Sequence, residues 1–220
     1  MGGFQFEVLQ QAWPLLAAGL KVTLGLSAAA FALALAVGIA VGVLRSESPL
    51  FKAVLTPYVE VFRGTPLLIQ LFFIYYGLPS VGVTLSSTTA GILGLGLNGG
   101  AYISEIIRGA LFSVDRGQKE AATALGHSRL QTLRYVVLPQ AIRVATPPLV
   151  NAFSALLKDS SLVSVLAITE LTRASQLIYT RTFRAFEVYL AVGLLYFALI
   201  YAVSRLSSRL EQQKAFSPAA

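Results

Sequence analysis

The chain has 220 residues, 55% of them hydrophobic and 12% charged, with a formal net charge of +7 and no cysteine. Soluble domains carry about 25% charged residues, whereas several apolar runs here reach the roughly 20 residues that cross about 30 Å of hydrocarbon, so a soluble globular domain is excluded. Disulfide and thiolate chemistry are excluded with cysteine, and the cations cluster in short segments beside apolar runs, as in the positive-inside pattern, which argues against a nucleic-acid surface.

The first apolar run begins near Ala12 and continues past Leu44. It lacks a cationic leader and exceeds the apolar core of a cleaved signal peptide, so it reads as a retained helix over 15–44. Lys21 snorkels to the interface. The segment 45–49 ends the run at Pro49, which is unsuited to a helix interior. A second helix is expected over 55–77, closed by Leu78-Pro79 and followed by a polar stretch, 80–89. A third spans 90–112.

The polar segment 113–135 reads as helix, turn, helix. Asp115 and Gln118 have capping-box spacing, good helix formers follow to Leu125, and Gly126 suits the left-handed residue that ends a helix. Ser128 and Gln131 repeat the cap spacing and start a second short helix. His127, alone in this turn, has no companion histidine or cysteine for a metal. A fourth membrane helix covers 136–157 and carries Pro139, with Pro147-Pro148 expected to bend it. The more polar connection 158–186 holds an apolar stretch, 162–168, expected to insert partly. A fifth helix spans 188–206, before a charged tail. The chain is thus read as a single all-α integral membrane domain over 1–220 with about five transmembrane helices.

Arg45 with Lys52, the cations from Arg108 through Arg143, and Arg205, Arg209 and Lys214 mark one side of the membrane. The bias predicts an amino terminus outside and a carboxyl terminus in the cytoplasm. Arg173, Arg181 and Arg184 fall outside in this arrangement, against the trend.

Glu120-Ala121-Ala122, then Gly126, then Val136-Val137-Leu138-Pro139 resemble the cytoplasmic loop of the membrane subunits of ATP-binding-cassette (ABC) importers. Arg63-Gly64-Thr65-Pro66-Leu67-Leu68-Ile69-Gln70 with Phe72 to Pro79, the run Ala101 to Gly109, and Leu157 to Leu162 resemble the polar amino-acid branch of that family. The likeness covers roughly residues 20–205. It implies a type I ABC importer fold whose loop 113–135 is a cytoplasmic coupling helix, with Glu120, Ala121, Ala122, Gly126, Leu138 and Pro139 engaging or shaping contact with an ATPase. It implies a permease subunit, not itself an enzyme, that moves polar amino acids, basic ones among the candidates, through the bacterial cytoplasmic (inner) membrane by alternating access. The implied partners are two ABC ATPase subunits, a second permease in a homo- or heterodimer, an extracytoplasmic substrate-binding protein, the lipid bilayer and the amino-acid substrate, with no nucleic acid. No cofactor is expected on this chain; ATP and Mg belong to the ATPase.

Ionisable groups at membrane depth are costly and usually functional. Glu60 and Arg63 share a helix face and either pair or gate, together with Thr65 and Pro66. The expected substrate path comprises Asn98, Gly99, Tyr102, Glu105, Lys158, Asp159, Ser160 and Ser161. A zwitterion needs an anion for its ammonium, which Glu105 and Asp159 supply, and a cation or backbone amides for its carboxylate, which the glycine region supplies. The alternative for Asp159 is a simple pair with Lys158.

Gly94-x-Gly96-x-x-Gly99 matches a dinucleotide fingerprint but lies inside an apolar run, so it reads as close helix packing, as does Gly38-x-x-x-Gly42. No P-loop motif, catalytic constellation or metal-ligand cluster occurs in the sequence. An ion-coupled secondary amino-acid carrier is the second functional reading, and a structural or receptor subunit, which predicts no uptake, is the third.

Overall fold

The computed structural model describes residues 5–215, with side chains to residue 205. Residues 1–4 and the side chains of Arg209 and Lys214, which entered the orientation argument, lie outside the described residues. The described chain is helical without a strand. Four stretches are long and apolar enough to cross a membrane: Phe6–Glu47, Ser87–Phe112, Arg129–Leu166 and Ala185–Arg205. The pair Pro49–Gly64 and Leu67–Val81, bent by 108°, makes a fifth if it counts as one span.

Helix α1 (Phe6–Glu47) is longer than expected at both ends. Its buried face is mostly small residues, including Ala30, Ala34, Gly38 and Gly42, and it packs along α4 (Ser87–Phe112). The small residues are required by the approach. A Cβ on Gly38 would stand 2.5 Å from the Ile103 side chain, and one on Gly42 would stand 2.7 Å from the carbonyl oxygen of Ser104. The glycine patterns in both helices are therefore packing devices, as the sequence predicts.

The second helix is not continuous. Helix α2 (Pro49–Gly64) stops at Thr65, and α3 (Leu67–Phe72) begins after Pro66. Thr65 is extended, at φ −118° and ψ 147°, because a residue before proline is pushed out of the helical region. The break strands carbonyls inside an apolar bundle, where each must find a donor. Gln70 Nε2 donates to the oxygens of Phe62 at 2.9 Å and Thr65 at 3.1 Å, and Asn98 Nδ2 donates to Phe62 O at 2.9 Å. The chain then passes through a π turn (Phe73–Gly77) and a 3-10 turn (Leu78–Val81).

Helix α5 (Arg116–Ala124) forms as expected, but its cap differs. Asp115 accepts from Gly117 N at 2.6 Å and makes no reciprocal box with Gln118. Gly126 is left-handed at φ 82°. His127 N donates to Ala122 O and Gly126 N to Thr123 O, both at 3.0 Å, the bonding of a Schellman stop. The capping box of Ser128 and Gln131 is present. The helix it starts is not separate, however: α6 (Arg129–Thr132) runs through a π turn (Leu133–Val137) into α7 (Leu138–Asp159). Nothing between Gln131 and Pro139 breaks the helix. Pro139 has no N–H to donate, and the wider turn accommodates it: Leu138 N bonds back to Leu133 O.

The stretch expected to insert partly is instead a 3-10 helix (Ser160–Leu166) sealed into the bundle, with Val163 and Leu166 fully buried. Helix α8 (Leu171–Thr182) then lies against α1 and α9 (Ala185–Ala215) around Leu16, Leu171, Ala174 and Val188.

Candidate functional site

A cavity of about 710 Å³ opens between α1, α3, α4 and α7. It brings together many residues from the expected path: Asn98, Gly99, Tyr102, Glu105 and Asp159, with Arg63, Thr65 and Pro66 at the α2–α3 break. Lys158 is exposed and does not line it, Ser160 is buried with its hydroxyl on Leu157 O at 2.8 Å, and Ser161 is outside the lining.

The charges in this cavity are not arranged as pairs of sequence neighbours. Glu60 and Arg63 do not pair among the described residues; the Arg63 guanidinium stands 5.4 Å from the centre of the Tyr102 ring. Lys158 and Asp159 do not form an ion pair either, because consecutive helical residues point in different directions. Glu105 meets two cations. Arg45 Nη1 stands 2.5 Å from one carboxylate oxygen and Arg108 Nη2 2.7 Å from the other. Arg45 also donates to Thr56 Oγ1 at 3.2 Å, so one guanidinium joins the end of α1 to α2 and α4. Glu105 is already neutralised, while Asp159 accepts no ion pair or side-chain hydrogen bond among the described residues. The cavity thus holds one available anion, Asp159, and one available cation, Arg63.

The elbow between α4 and α7 presents a different chemistry. Glu120 is exposed and accepts from Arg116 Nε at 3.0 Å, whereas Ala122 is buried against the bundle. Ala121 is exposed on the outer side. Leu125 and Leu130, on either side of the turn at Gly126, are 81% and 72% exposed. Arg129 Nη2 pairs with Glu47 Oε2 at 2.6 Å and ties the elbow to the end of α1. Leu138 and Pro139 sit where the π turn hands over to α7. The elbow is thus a twice-capped element that turns the apolar side chains of Leu125 and Leu130 outward.

Three residues with clear roles carry no assignment from sequence. Gln70 closes the broken second helix, and a glutamine four residues after Pro66 in an apolar run was the available signal. Arg45 counted only as an orientation marker, although its partner Glu105 sits in an E-x-x-R spacing with Arg108. Glu170, fully buried, caps α8 through the amides of Thr172 at 2.8 Å and Arg173 at 2.7 Å and accepts from Tyr196 Oη at 2.9 Å. Burial pushes its carboxyl above the usual range, against these hydrogen bonds.

Comparison with known proteins matches residues 34–215 to the family described as binding-protein-dependent transport system inner membrane component. The chain is 39% identical over 213 residues to the glutamine transport system permease protein of Escherichia coli strain K12, covering 96% of this chain and 97% of that one. It is 36% identical over 211 residues to the L-cystine transport system permease protein of Bacillus subtilis strain 168, covering 94% and 90%. A solved amino acid ABC transporter with histidines superposes with a TM-score of 0.91 at 38% identity, covering 96% of this chain and 100% of that chain. The inward-facing MetNI methionine ABC transporter, at 23% identity and a TM-score of 0.77 over 90% of this chain and 95% of that chain, shares the fold.

Proposed function

The chain belongs to the family of binding-protein-dependent transport system inner membrane components, and from that premise we propose that it admits an amino acid whose ammonium meets Asp159 and whose carboxylate meets Arg63. As a multi-pass permease subunit of an ABC importer it is not an enzyme; ATP hydrolysis is on a separate chain, and an ion-coupled carrier does not fit the family.

The observation that carries the substrate reading is the pair of uncommitted charges in one cavity of about 710 Å³. Pockets for small molecules run to about 300–1,000 Å³ with a few convergent polar groups. Arg63 offers a planar donor fork suited to a carboxylate, steadied by Tyr102. Asp159 offers an acceptor for an ammonium. Glu105, held by two arginines, serves the framework at the same cavity's edge. The glutamine and L-cystine permeases among the relatives support a polar amino acid as cargo.

The assembly proposed around the chain has a second permease, identical or homologous, two ABC ATPases carrying ATP and Mg, and an extracytoplasmic binding protein. The amino terminus lies outside and the elbow in the cytoplasm. Closure of the ATPase pair moves the elbow at Glu120, Leu125 and Leu130, α7 moves with it through the unbroken helix from Arg129, and the cavity changes the side to which it opens.

Uptake of labelled amino acids into proteoliposomes holding the assembled complex tests the site. Asp159→Asn and Arg63→Gln should each lower uptake about tenfold or more, as expected for loss of a hydrogen bond to a charged group. Unchanged uptake and selectivity in both, with assembly intact, removes the zwitterion site.

A further inference from the structure

Two charges on α2 sit at the wrong depth for a free surface. Tyr58 Oη donates to Leu97 O at 2.6 Å, and Asn98 Nδ2 donates to Phe62 O at 2.9 Å. These bonds level the stretch from Tyr58 to Phe62 with Leu97 and Asn98, near the middle of the 26-residue span α4. Glu60 lies inside that stretch and Arg63 just past it. Both are exposed, and neither has an ion-pair partner among the described residues. An ionised group at that depth does not face hydrocarbon; it meets an opposite charge, backbone carbonyls or a water-filled cavity. Arg63 lines the substrate cavity beside Tyr102, but Glu60 does not. The carboxylate therefore requires a partner outside the chain's own fold.

We propose that α2 of a second copy of this chain covers the face, with Glu60 of each copy paired to Arg63 of the partner subunit. The face is self-complementary: it offers one anion and one cation, as an isologous two-fold contact requires. Identical chains cross the membrane in the same sense, so the axis runs along the membrane normal. Glu60 then differs in height from Arg63 of the partner subunit by at most the rise of three helical residues, about 4.5 Å, which a long arginine side chain spans. Ala53, Pro57 and Gly64 are short and exposed on the side of α2 that carries Glu60. A Cβ on Gly64 would meet nothing within 4 Å, so a second helix has room to approach. Hydrocarbon supplies no cation at this depth, and the four charges at the seam sum to zero. The second copy thus contributes a residue to the substrate cavity. On the reading of Arg63 as the carboxylate ligand, Glu60 of the partner subunit holds that guanidinium when the cavity is empty, and the cargo's carboxylate takes its place.

Two differently tagged forms of the full chain, co-expressed and extracted in detergent, test the contact: one tag is captured and the other is measured. The wild type should capture itself. Glu60→Arg and Arg63→Glu should each lower self-capture about tenfold or more, the scale of close charge pairs across an interface. Co-expressed with each other they should recover it, because every cross pair is then matched, and a defect confined to one chain does not produce that recovery. Glu60→Gln only neutralises and should also weaken self-capture, so the test stands if a doubled charge blocks insertion. A wild type that does not capture itself, self-capture of Glu60→Gln at the wild-type level, or loss in both charge-reversed variants without mutual recovery overturns the pairing. Capture is read without amino acid, whereas the zwitterion site is read by uptake, so the failure of one is distinguishable from the failure of the other.

Discussion

Arg45 and Glu105, sixty residues apart, meet at 2.5 Å where α1 ends, with Arg108 on the carboxylate's other oxygen. The three members are unequal. The Arg45 side chain is 8% exposed, Glu105 21% and Arg108 39%. Removing Glu105 strands a buried guanidinium, whereas removing Arg45 leaves Glu105 its second partner.

Glu105→Gln should therefore destabilise the fold more than Arg45→Gln. Breaking a buried pair and leaving a charge uncompensated costs about 3 kcal/mol, and the better-compensated Arg45→Gln should cost about 1 kcal/mol, the scale of a single hydrogen bond. Thermal unfolding in detergent reads the order directly. A larger loss for Arg45→Gln contradicts the account.

The two halves of the second helix are joined by side chains, not by backbone. Gln70→Leu removes three hydrogen bonds to Phe62 and Thr65, and Asn98→Leu removes one to Phe62 and one to Gln70. Each should lower stability by about 1–3 kcal/mol through unsatisfied buried carbonyls. Because Asn98 and Gln70 bond each other at 3.0 Å, the double variant should deviate from the sum of the singles by about 0.5 kcal/mol or more. Strict additivity in a double-mutant cycle would show that they act separately.

These residues also mark what was legible in the sequence. Apolar run length located four spans, because hydrocarbon thickness sets helix length, but not all their ends: α4 stops at Phe112 as expected, whereas α1 begins at Phe6 and not at residue 15. Gly126 and Ser128 announced the elbow because cap chemistry is local. Pro66 was visible, but a 108° turn at membrane depth depends on Gln70 and Asn98 reaching it from elsewhere. Charge partnership was the least legible. Sequence neighbours suggested Glu60 with Arg63 and Lys158 with Asp159, while Glu105 found Arg45 across the helix interface. The continuation of Ser128's helix into α7 was missed because the polar residues up to Tyr135 read as a loop separate from the helix 136–157, although none of them stops a helix.

Two glycines on α1 separate packing from propensity. Gly42→Ala places a methyl 2.7 Å from the Ser104 carbonyl oxygen, while Gly25→Ala meets nothing within 4 Å. Gly42→Ala should cost about 1–3 kcal/mol by overpacking, and Gly25→Ala should be neutral or gain about 0.5–1 kcal/mol of helix propensity. Equal melting temperatures for the two variants contradict the close α1–α4 approach.

Glu170 makes stability respond to pH. Its folded carboxyl lies above the ordinary range because of burial, so between the unfolded value and the raised one the folded state holds more protons. By linkage, stability contributed by this group is full below the unfolded value near pH 4 and falls as pH rises through the folded one. Glu170→Gln should flatten the decline in unfolding temperature measured upward from about pH 4. An identical slope in the variant assigns the decline to other groups.

Leu125 isolates the proposed grip on the elbow from the fold. It is 81% exposed, so Leu125→Asp removes almost no buried contact, and surface changes of this kind stay within about 0.5 kcal/mol. Unfolding temperature should hold. If the outward leucines are what an ATPase grips, the same change places a charge in an apolar contact and should weaken co-purification with the ATPase about tenfold or more. Gly126→Val acts differently. It forces a β-branched residue to φ 82°, at a cost of about 1–3 kcal/mol, and should loosen the lever while leaving its outer surface in place. Leu125→Asp is then expected to lower ATPase association and uptake together, and Gly126→Val to lower uptake per ATP hydrolysed with association largely kept. Both follow from measuring bound ATPase, hydrolysis and uptake on the same preparations. Should Leu125→Asp bind its ATPase as the wild type does, the outward leucines are not the grip.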